Sequence, residues 1–328
     1  MHAFDGNAAE LPIGLFDSGV GGLTVLAALR KRLPNERYCY LGDTARLPYG
    51  TKSSGTIVRY SLQATEKLVE RRIKLLVVAC NTATAAALPE LRKAYAPLPV
   101  IGVVEPGARA ACKAVNGKPG GGSIIVMATE STIRGAAYTK AIHALRPEIS
   151  VTGVPCSLFV SLAEEGWMDG PIAEGIAARY LAHALKQCKP DCIVLGCTHF
   201  PPLADSIAAV AGKDVTMVDS AATTAEAVEE ELRRLGLIRP GAGVSHAAGS
   251  LFAEANEFRD GLHPYPPGSC RPWTRQMASP MDESIHSENA PADLLHFLTT
   301  DAPERFARVG SLFLGVPIEP GRIELVVL

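Results

Sequence analysis

Residues 74–84 read KLLVVACNTAT, and residues 191–202 read DCIVLGCTHFPP. Each stretch is a short apolar run, rich in β-branched residues, that is followed at once by a cysteine and small hydroxyl residues. Such a run is typical of a strand buried on both faces of a parallel sheet. Ligands of open α/β sheets bind just beyond the carboxyl ends of these strands. Cys80 and Cys197 could be ordinary core cysteines, but their matched placement favours a functional role.

Predicted strands alternate with predicted helices on either side of these two stretches. The pattern predicts further strands at 11–16, 38–41, 100–104, 123–128, 149–154, 215–218, 294–298 and 323–327. It predicts helices at 23–33, 53–72, 83–95, 138–145, 171–187, 220–235 and 302–314. We expect Pro89 to kink or split its helix, because proline removes a helical hydrogen bond. The alternation indicates right-handed βαβ crossovers and parallel sheets.

Two helices are expected to bury a regular apolar stripe. Their predicted inward positions are Tyr138, Ile142 and Leu145 in one helix, and Ile172, Ile176, Tyr180 and Ala184 in the other. The order of elements before residue 105 recurs after it with an offset of about 110–117 residues, which indicates an internal duplication.

The predicted fold is α/β, with two pseudo-symmetric domains, each a mostly parallel sheet flanked by helices. The first domain is expected to comprise residues 1–105 and 217–328, and the second residues 106–216. Two facing halves would bring both cysteines into one cleft between them. Residues 240–293 are dense in Pro, Gly, Ser and His without a sustained period, and we expect an irregular insertion there.

The bulk composition is that of a soluble globular protein. The 328 residues are 47% hydrophobic and 20% charged, with a net charge of −2. No basic excess predicts a nucleic-acid partner, no apolar run is long enough for a membrane span, and Met1 to Glu10 do not resemble a signal peptide. Eight cysteines in a chain of this length favour a reducing, cytoplasmic location.

Two cysteines on opposite walls of a cleft suggest inversion of a stereocentre. One thiolate would remove a proton from carbon while the opposite thiol delivers another. Asp17 and His199 are the ionisable residues nearest these strand ends and could tune the two thiols.

Several separated motifs together resemble glutamate racemase. They are 14–22 (GLFDSGVGG), 48–50 (PYG), 80–83 (CNTA) and 196–201 (GCTHFP). The similarity covers residues 11–239 and resumes at 297–300 (FLTT), continuing through 304–306 to the end. The resemblance implies a racemase that interconverts L- and D-glutamate without a cofactor and supplies D-glutamate for peptidoglycan. No metal site is expected.

The resemblance also implies roles for individual residues. Cys80 would deprotonate D-glutamate with help from Asp17, and Cys197 would deprotonate L-glutamate with help from His199 and Glu164, although Glu165 is adjacent. The expected partner is the small-molecule substrate, with neither nucleic acid nor membrane, and a homodimer is left open. The expected substrate contacts are Asp17, Ser18, Pro48, Tyr49, Gly50, Cys80, Asn81, Thr82, Thr129, Thr132, Cys197, Thr198 and His199.

Other interpretations are less consistent with the sequence. Cys188, Cys192, Cys197 and His199 have a spacing that fits no common closed zinc site. The loop after Asp17 lacks the Lys and Ser/Thr of a P-loop. An aspartate racemase or another two-cysteine isomerase remains open, whereas a non-catalytic amino-acid sensor would need neither thiol.

Overall fold

The computed structural model describes residues 8–240 and 294–328. Its strands are β1 (Ile13–Asp17), β2 (Tyr38–Gly42), β3 (Leu75–Val78), β4 (Val100–Gly102), β5 (Ser123–Ala128), β6 (Ser150–Pro155), β7 (Cys192–Gly196), β8 (Thr216–Asp219), β9 (Leu295–Thr299) and β10 (Ile323–Leu325). Its helices are α1 (Leu23–Arg32), α2 (Ser54–Val69), α3 (Asn81–Ala94), α4 (Val104–Ala114), α5 (Glu130–Gly135), α6 (Ala137–Leu145), α7 (Leu158–Glu164), α8 (Gly170–Gln187), α9 (Ala204–Ala211), α10 (Ser220–Leu235) and α11 (Pro303–Leu314).

The strands form two parallel sheets with a shared topology. The first sheet has the order β10-β9-β2-β1-β3-β4, and the second has the order β6-β5-β7-β8. All the paired strands of the described residues run parallel. The order β2-β1-β3-β4 of the first sheet is therefore repeated as β6-β5-β7-β8 in the second. The predicted α/β fold with two related halves is confirmed.

Both faces of the central strands are buried, as their apolar runs predict. Leu75 and Val77 of β3 belong to a large core cluster that also contains Ile193 and Leu195 of β7. The alternate residues of each strand, such as Val78 in β3, face a separate cluster under the flanking helices. Because side chains alternate along a strand, a strand covered on both sides must be apolar throughout.

Each sheet has a point at which its chain connections diverge. From β1 the chain passes to β2 on one side, and β3 lies on the other side; β5, β6 and β7 repeat this arrangement. The crevice beyond the carboxyl ends of strands at such a point is where α/β proteins bind ligands. Asp17 ends β1 and Cys80 follows β3, while Thr129 follows β5 and Cys197 follows β7. The duplicated topology therefore gives each half one cysteine at equivalent places.

The predicted split at Pro89 is wrong, because α3 continues from Asn81 to Ala94, and a kink there stays a prediction. Pro89 lies on the exposed face of the helix. Pro89 has no N–H to donate to the Ala85 carbonyl, and the helix tolerates this loss.

The sequence pattern also misses several helices. Residues 104–114 form α4 although they contain Pro106 and Gly107. Pro106 is tolerated because the first-turn N–H groups of a helix have no helical acceptor in any case. The short helices α5, α7 and α9 are too brief to show a sustained period in the sequence.

Two predicted apolar stripes are partly wrong. Leu145, the last residue of α6, is exposed, and so is Ile172 in the first turn of α8. The buried face of α8 instead consists largely of small residues, namely Ala173, Ala177, Leu181 and Ala184. Alanines let a helix approach its neighbours closely. The predicted residues Ile176 and Tyr180 are half-buried beside this face and pack against the same core.

The domain bounds remain a prediction. β8, which begins at Thr216, pairs in the second sheet with β7, while α10 leads the chain back to β9 in the first sheet. Almost all of the predicted insertion at 240–293 lies outside the described residues. Within the described part of the chain, every helix is too short or too polar to cross a membrane.

Candidate active site

Cys80 lies at the start of a long helix. It is the N-cap residue of α3, and its Sγ accepts a hydrogen bond from the Ala83 N–H at 3.4 Å. The thiol lies 3.4 Å from the Ser18 hydroxyl, to which it can donate. Burial, reinforced by the nearby Asp17, raises the pKa of Cys80 to about 12. Hydrogen bonds with the Ser18 hydroxyl and with the Ala83 N–H, at the positive end of the α3 dipole, act on the pKa of Cys80 in the opposite direction and favour a thiolate.

Asp17 lies beside Cys80 at the end of the neighbouring strand. Its carboxylate is fully buried, and Oδ2 accepts a hydrogen bond from the Gly19 N–H at 3.0 Å. Oδ1 is also buried and has no hydrogen-bond donor among the described residues. Burial raises the pKa of Asp17, while the charge of His199 acts in the opposite direction. Asp17 is therefore electrostatically linked to both halves of the site.

Cys197 has an imidazole as its partner instead of a long helix. Its Sγ lies 4.0 Å from Nδ1 of His199, whose Nε2 lies 3.1 Å from Glu164 Oε1. Glu164 Oε2 in turn accepts a hydrogen bond from Arg305 at 2.8 Å. Burial alone would lower the pKa of His199, but hydrogen bonds to Cys197 and Glu164 outweigh it and raise the pKa to about 10. An imidazolium in this position stabilises a thiolate.

The structure distinguishes between the two adjacent acids that the sequence left open. Glu164 is the last residue of α7 and contacts His199, whereas Glu165 is exposed. Burial raises the pKa of Glu164, but His199 and Arg305 outweigh it and leave the pKa below its ordinary value. Cys197, His199, Glu164 and Arg305 thus form one continuous chain of polar contacts.

Hydroxyl groups from the two halves meet next to Cys80. Thr82 Oγ1 lies 2.9 Å from Thr129 Oγ1 and 3.2 Å from Thr132 Oγ1, and the latter two are 3.0 Å apart. Gly50 packs so closely on Thr129 that an added Cβ would lie 2.9 Å from the threonine Cβ. The predicted residues Gly50, Thr82, Thr129 and Thr132 are therefore brought together.

Thr198 lies at the other seam between the halves. Its carbonyl accepts a hydrogen bond from Thr24 Oγ1 at 3.3 Å, and its hydroxyl is 3.4 Å from His199 Nδ1. A Cβ at Gly21 would collide with both Thr198 and His199. The glycine-rich turn after β1 therefore lets the two cysteine loops approach each other.

The loop that contains Pro48 and Tyr49 is held by a residue that sequence reasoning missed. The Tyr49 hydroxyl donates to Asp43, which is fully buried and also pairs with Arg46 at 2.7 Å. The Tyr49 hydroxyl is thus already engaged. The sequence carried a signal for Asp43, because this acid follows β2 in the same way that Asp17 ends β1.

Arg305 was also missed, although it lies within a motif of the family resemblance. It is 141 residues from Glu164 in sequence, so no local pattern indicates their contact. Over the described residues, no group of three or more His, Cys, Asp and Glu side chains has a geometry suited to a metal ion. Cys188, a member of the rejected zinc spacing, is the C-cap residue of α8 and donates to the Ala184 carbonyl in the last turn of that helix.

Known proteins resemble this chain over most of its length. Residues 24–228 match the family model described as Asp/Glu/Hydantoin racemase. A glutamate racemase from Geobacter metallireducens is 52% identical over 228 residues, which is 70% of this chain and 82% of that protein. A glutamate racemase from Koribacter versatilis is 40% identical over 309 residues, 94% of each.

A solved structure has the same fold. The crystal structure of glutamate racemase from Francisella tularensis in complex with D-glutamate matches with a TM-score of 0.75 at 30% sequence identity. The match covers 97% of this chain and 98% of that one.

Proposed function

This chain belongs to the Asp/Glu/Hydantoin racemase family and is an amino-acid racemase, and we propose that it interconverts L- and D-glutamate. The observation that carries the proposal is the pairing of Cys80 and Cys197 at equivalent strand ends of two duplicated sheets. A charge on Cys197 raises the pKa of Cys80, so the two sulfurs share one electrostatic environment. Each sulfur also has its own polar partners.

The proposed reaction is a two-base proton exchange at Cα. One thiolate takes the α-proton, and the C–H electron pair remains on the substrate as a carbanion. The opposite thiol then donates its proton to the other face of the same carbon. The product is the enantiomer, and the two sulfurs have exchanged protonation states. By family resemblance, Cys80 acts first on D-glutamate and Cys197 acts first on L-glutamate.

The carboxylate and imidazole groups are proposed to assist the two thiols. Asp17 would assist Cys80, and His199 supported by Glu164 would assist Cys197. Asp17 raises the pKa of Cys80, which makes its thiolate a stronger base, and Nδ1 of His199 lies 4.0 Å from Sγ of Cys197. General acid–base assistance of this kind typically contributes about 10²–10⁴-fold to a rate.

Two buried polar atoms are available to a zwitterionic substrate. Asp17 Oδ1 is an acceptor without a donor, and Asn81 Nδ2 is a donor without an acceptor, among the described residues. An ammonium group would satisfy the first and a carboxylate the second. The remaining proposed contacts are Ser18, Pro48, Tyr49, Gly50, Thr82, Thr129, Thr132 and Thr198. Since the Tyr49 hydroxyl is bound to Asp43, the backbone is the part of Tyr49 proposed to reach the substrate.

The cellular role is proposed to be the supply of D-glutamate for peptidoglycan, which fits a cytoplasmic location. A strain that requires external D-glutamate should grow without it when it expresses this protein. Growth that still depends on added D-glutamate, with the protein expressed in folded form, would contradict this role.

The chemical proposal is tested by incubating the protein with L- or D-glutamate in D₂O without added cofactor. Circular dichroism should show both enantiomers approaching a racemic mixture, and NMR should show deuterium at Cα of the product. The Cys80→Ser/Cys197→Ser double variant is the control. Parallel incubations with both enantiomers of aspartate and other amino acids test the substrate. Faster turnover of aspartate would assign the alternative activity, and racemisation without solvent label would overturn the mechanism.

A further inference from the structure

Tyr138 contacts the neighbours of both cysteines. Its hydroxyl donates to Asn81 Oδ1 at 2.7 Å, and Asn81 directly follows Cys80. Its ring is packed against Gly107 of α4 and Gly196, which directly precedes Cys197. A Cβ would lie only 3.2 Å from the ring at Gly107 and 3.1 Å from it at Gly196. Only 2% of Tyr138 is exposed, so these contacts leave the ring little freedom.

The hydrogen bond determines which end of the Asn81 amide faces the site. Burial raises the pKa of Tyr138, so its hydroxyl keeps its proton and acts as a donor. The amide therefore turns Oδ1 towards Tyr138 and leaves Nδ2 without an acceptor among the described residues. A buried N–H without an acceptor is unfavourable unless a ligand supplies one. A carboxylate oxygen is an acceptor that matches this amide donor.

A break between two helices brings Tyr138 to this position. Ala136 has a left-handed backbone (φ 53°) and separates α5 from α6. Thr132 and Tyr138 are six residues apart, so on one continuous helix they would lie about 120° apart. With the break, Thr132 contacts Thr82 at 3.2 Å and Tyr138 contacts Asn81. The left-handed conformation of Ala136 is energetically unfavourable for a residue other than glycine. It allows Thr132 and Tyr138 to contact the start of α3 at two adjacent residues, Thr82 and Asn81.

We propose that Tyr138 is a positioning residue that orients the Asn81 amide so that Nδ2 donates to a carboxylate of the amino-acid substrate. The inference rests on the proposed function, since it assumes that Asn81 binds the substrate. Tyr138 itself does not touch the substrate. Its effect on turnover passes through Asn81.

The first test is Tyr138→Phe, which removes the hydroxyl and keeps the ring between the two glycines. Without the tyrosine hydroxyl, the Asn81 amide can rotate and its Nδ2 no longer points steadily at the substrate carboxylate. KM should rise about tenfold, with a smaller change in kcat, because a hydrogen bond to a charged group is worth roughly that factor. In an Asn81→Ala background, Tyr138→Phe should change KM less than twofold, because residues that act through each other are not additive. The matched control is Tyr95→Phe, which removes a hydroxyl that donates to the Leu62 carbonyl far from the site. It should alter Tm without altering KM.

The second test is Asn81→Asp, which keeps an acceptor for Tyr138 and replaces the donor with a second acceptor. The fold should be retained, while KM rises more than in Tyr138→Phe, and this variant serves even if Tyr138→Phe does not fold. Equal KM in wild type and either folded variant, or fully additive effects, would overturn the role of Tyr138.

These measurements use whichever amino acid the wild-type protein racemises. If the wild-type protein is inactive on glutamate but active on another amino acid, only the substrate assignment is overturned. A wild type that racemises none of the amino acids overturns both proposals.

Discussion

The two cysteines occupy equivalent places in related sheets, yet their surroundings differ. Cys80 caps a 14-residue helix and has a backbone N–H and the Ser18 hydroxyl as partners. Cys197 is followed by the 3₁₀ turn Pro201–Leu203 and the 8-residue α9, and its partner is the imidazole of His199. The first environment would stabilise a thiolate with backbone dipoles, and the second would do so with a cationic side chain.

Part of the difference arises from an element that the duplication does not repeat. Arg305 lies on α11, which follows β9 in the first sheet, and within the described residues the second sheet has no strand equivalent to β9. Through Glu164 it contacts the cysteine site of the opposite half. A duplicated topology can therefore place two bases symmetrically, while unrepeated elements make their charges unequal.

The largest expected effect is the loss of either thiol. Cys80→Ser and Cys197→Ser should each retain the fold, because the change is nearly isosteric, and should each lose at least about 10²–10⁴-fold in racemisation. The retained thiolate should still remove a proton from the enantiomer it faces. With glutamate analogues that carry chloride at Cβ, elimination by Cys197→Ser should prefer the D-form, and elimination by Cys80→Ser the L-form.

Chloride release and circular dichroism measure these two activities. A preference of both variants for the same enantiomer would contradict the assignment of opposed bases. Near-normal racemisation by either variant would show that the replaced cysteine is structural.

The second prediction removes the cation from one side only. His199→Gln keeps a hydrogen-bonding side chain near Cys197 but cannot become charged, and racemisation should fall about 10²-fold. The equilibrium constant of racemisation is one, so kcat/KM must remain equal in both directions. The asymmetry should instead appear as a larger kinetic isotope effect with α-deuterated L-glutamate than with the D-enantiomer. Equal isotope effects in a folded variant would argue against a role for His199 at Cys197 alone.

The third prediction concerns the pH dependence of the same half. The pKa of His199 is raised to about 10, so its cation is lost as the pH rises through that value. Glu164→Gln removes one of the charges that hold the pKa up. The alkaline limb of the kcat profile should therefore move to lower pH, with about tenfold lower activity near pH 9. Stopped assays between pH 6 and 10.5 measure the shift.

Glu165→Gln is the matched control for this experiment, because Glu165 is adjacent in sequence but exposed. Its profile should coincide with that of the wild type. A shift of the same size in both variants would mean that the effect reflects overall charge and not contact with His199.

The smallest effect is expected where neither cysteine environment is touched. Tyr38 begins β2 and donates its N–H to the Leu294 carbonyl, while Lys74, just before β3, bonds the Leu237 carbonyl. Both flanks of residues 241–293 thus lie at the amino ends of the strands, opposite the cysteines. Replacing these residues with a Gly/Ser linker of about 10–15 residues should change kcat/KM less than twofold. Loss of activity in a folded variant, measured in both directions, would show that the segment shapes the site or an oligomer.

Local sequence was sufficient for the buried strands and for most helices. β5 and α10 occur at the predicted residues, because a strand covered on both faces requires an apolar run and an amphipathic helix requires a 3.6-residue period. Prediction failed where those signals were weak. In α8 the fully buried positions 173, 177 and 181 lie one residue after the predicted positions 172, 176 and 180, and α4 was missed because Pro106 and Gly107 obscured it.

The sequence by itself determined which residue types stand at the strand ends, and so it identified Cys80, Cys197, Asp17 and His199 as candidates. Only the tertiary structure decided their partners. It selected Glu164 over Glu165 for His199, linked Arg305 to them, and placed Tyr138 between the two cysteine segments. The physical reason is that strand burial is a local property of a few consecutive residues, whereas burial of charge and hydrogen bonding depend on side chains far apart in the chain.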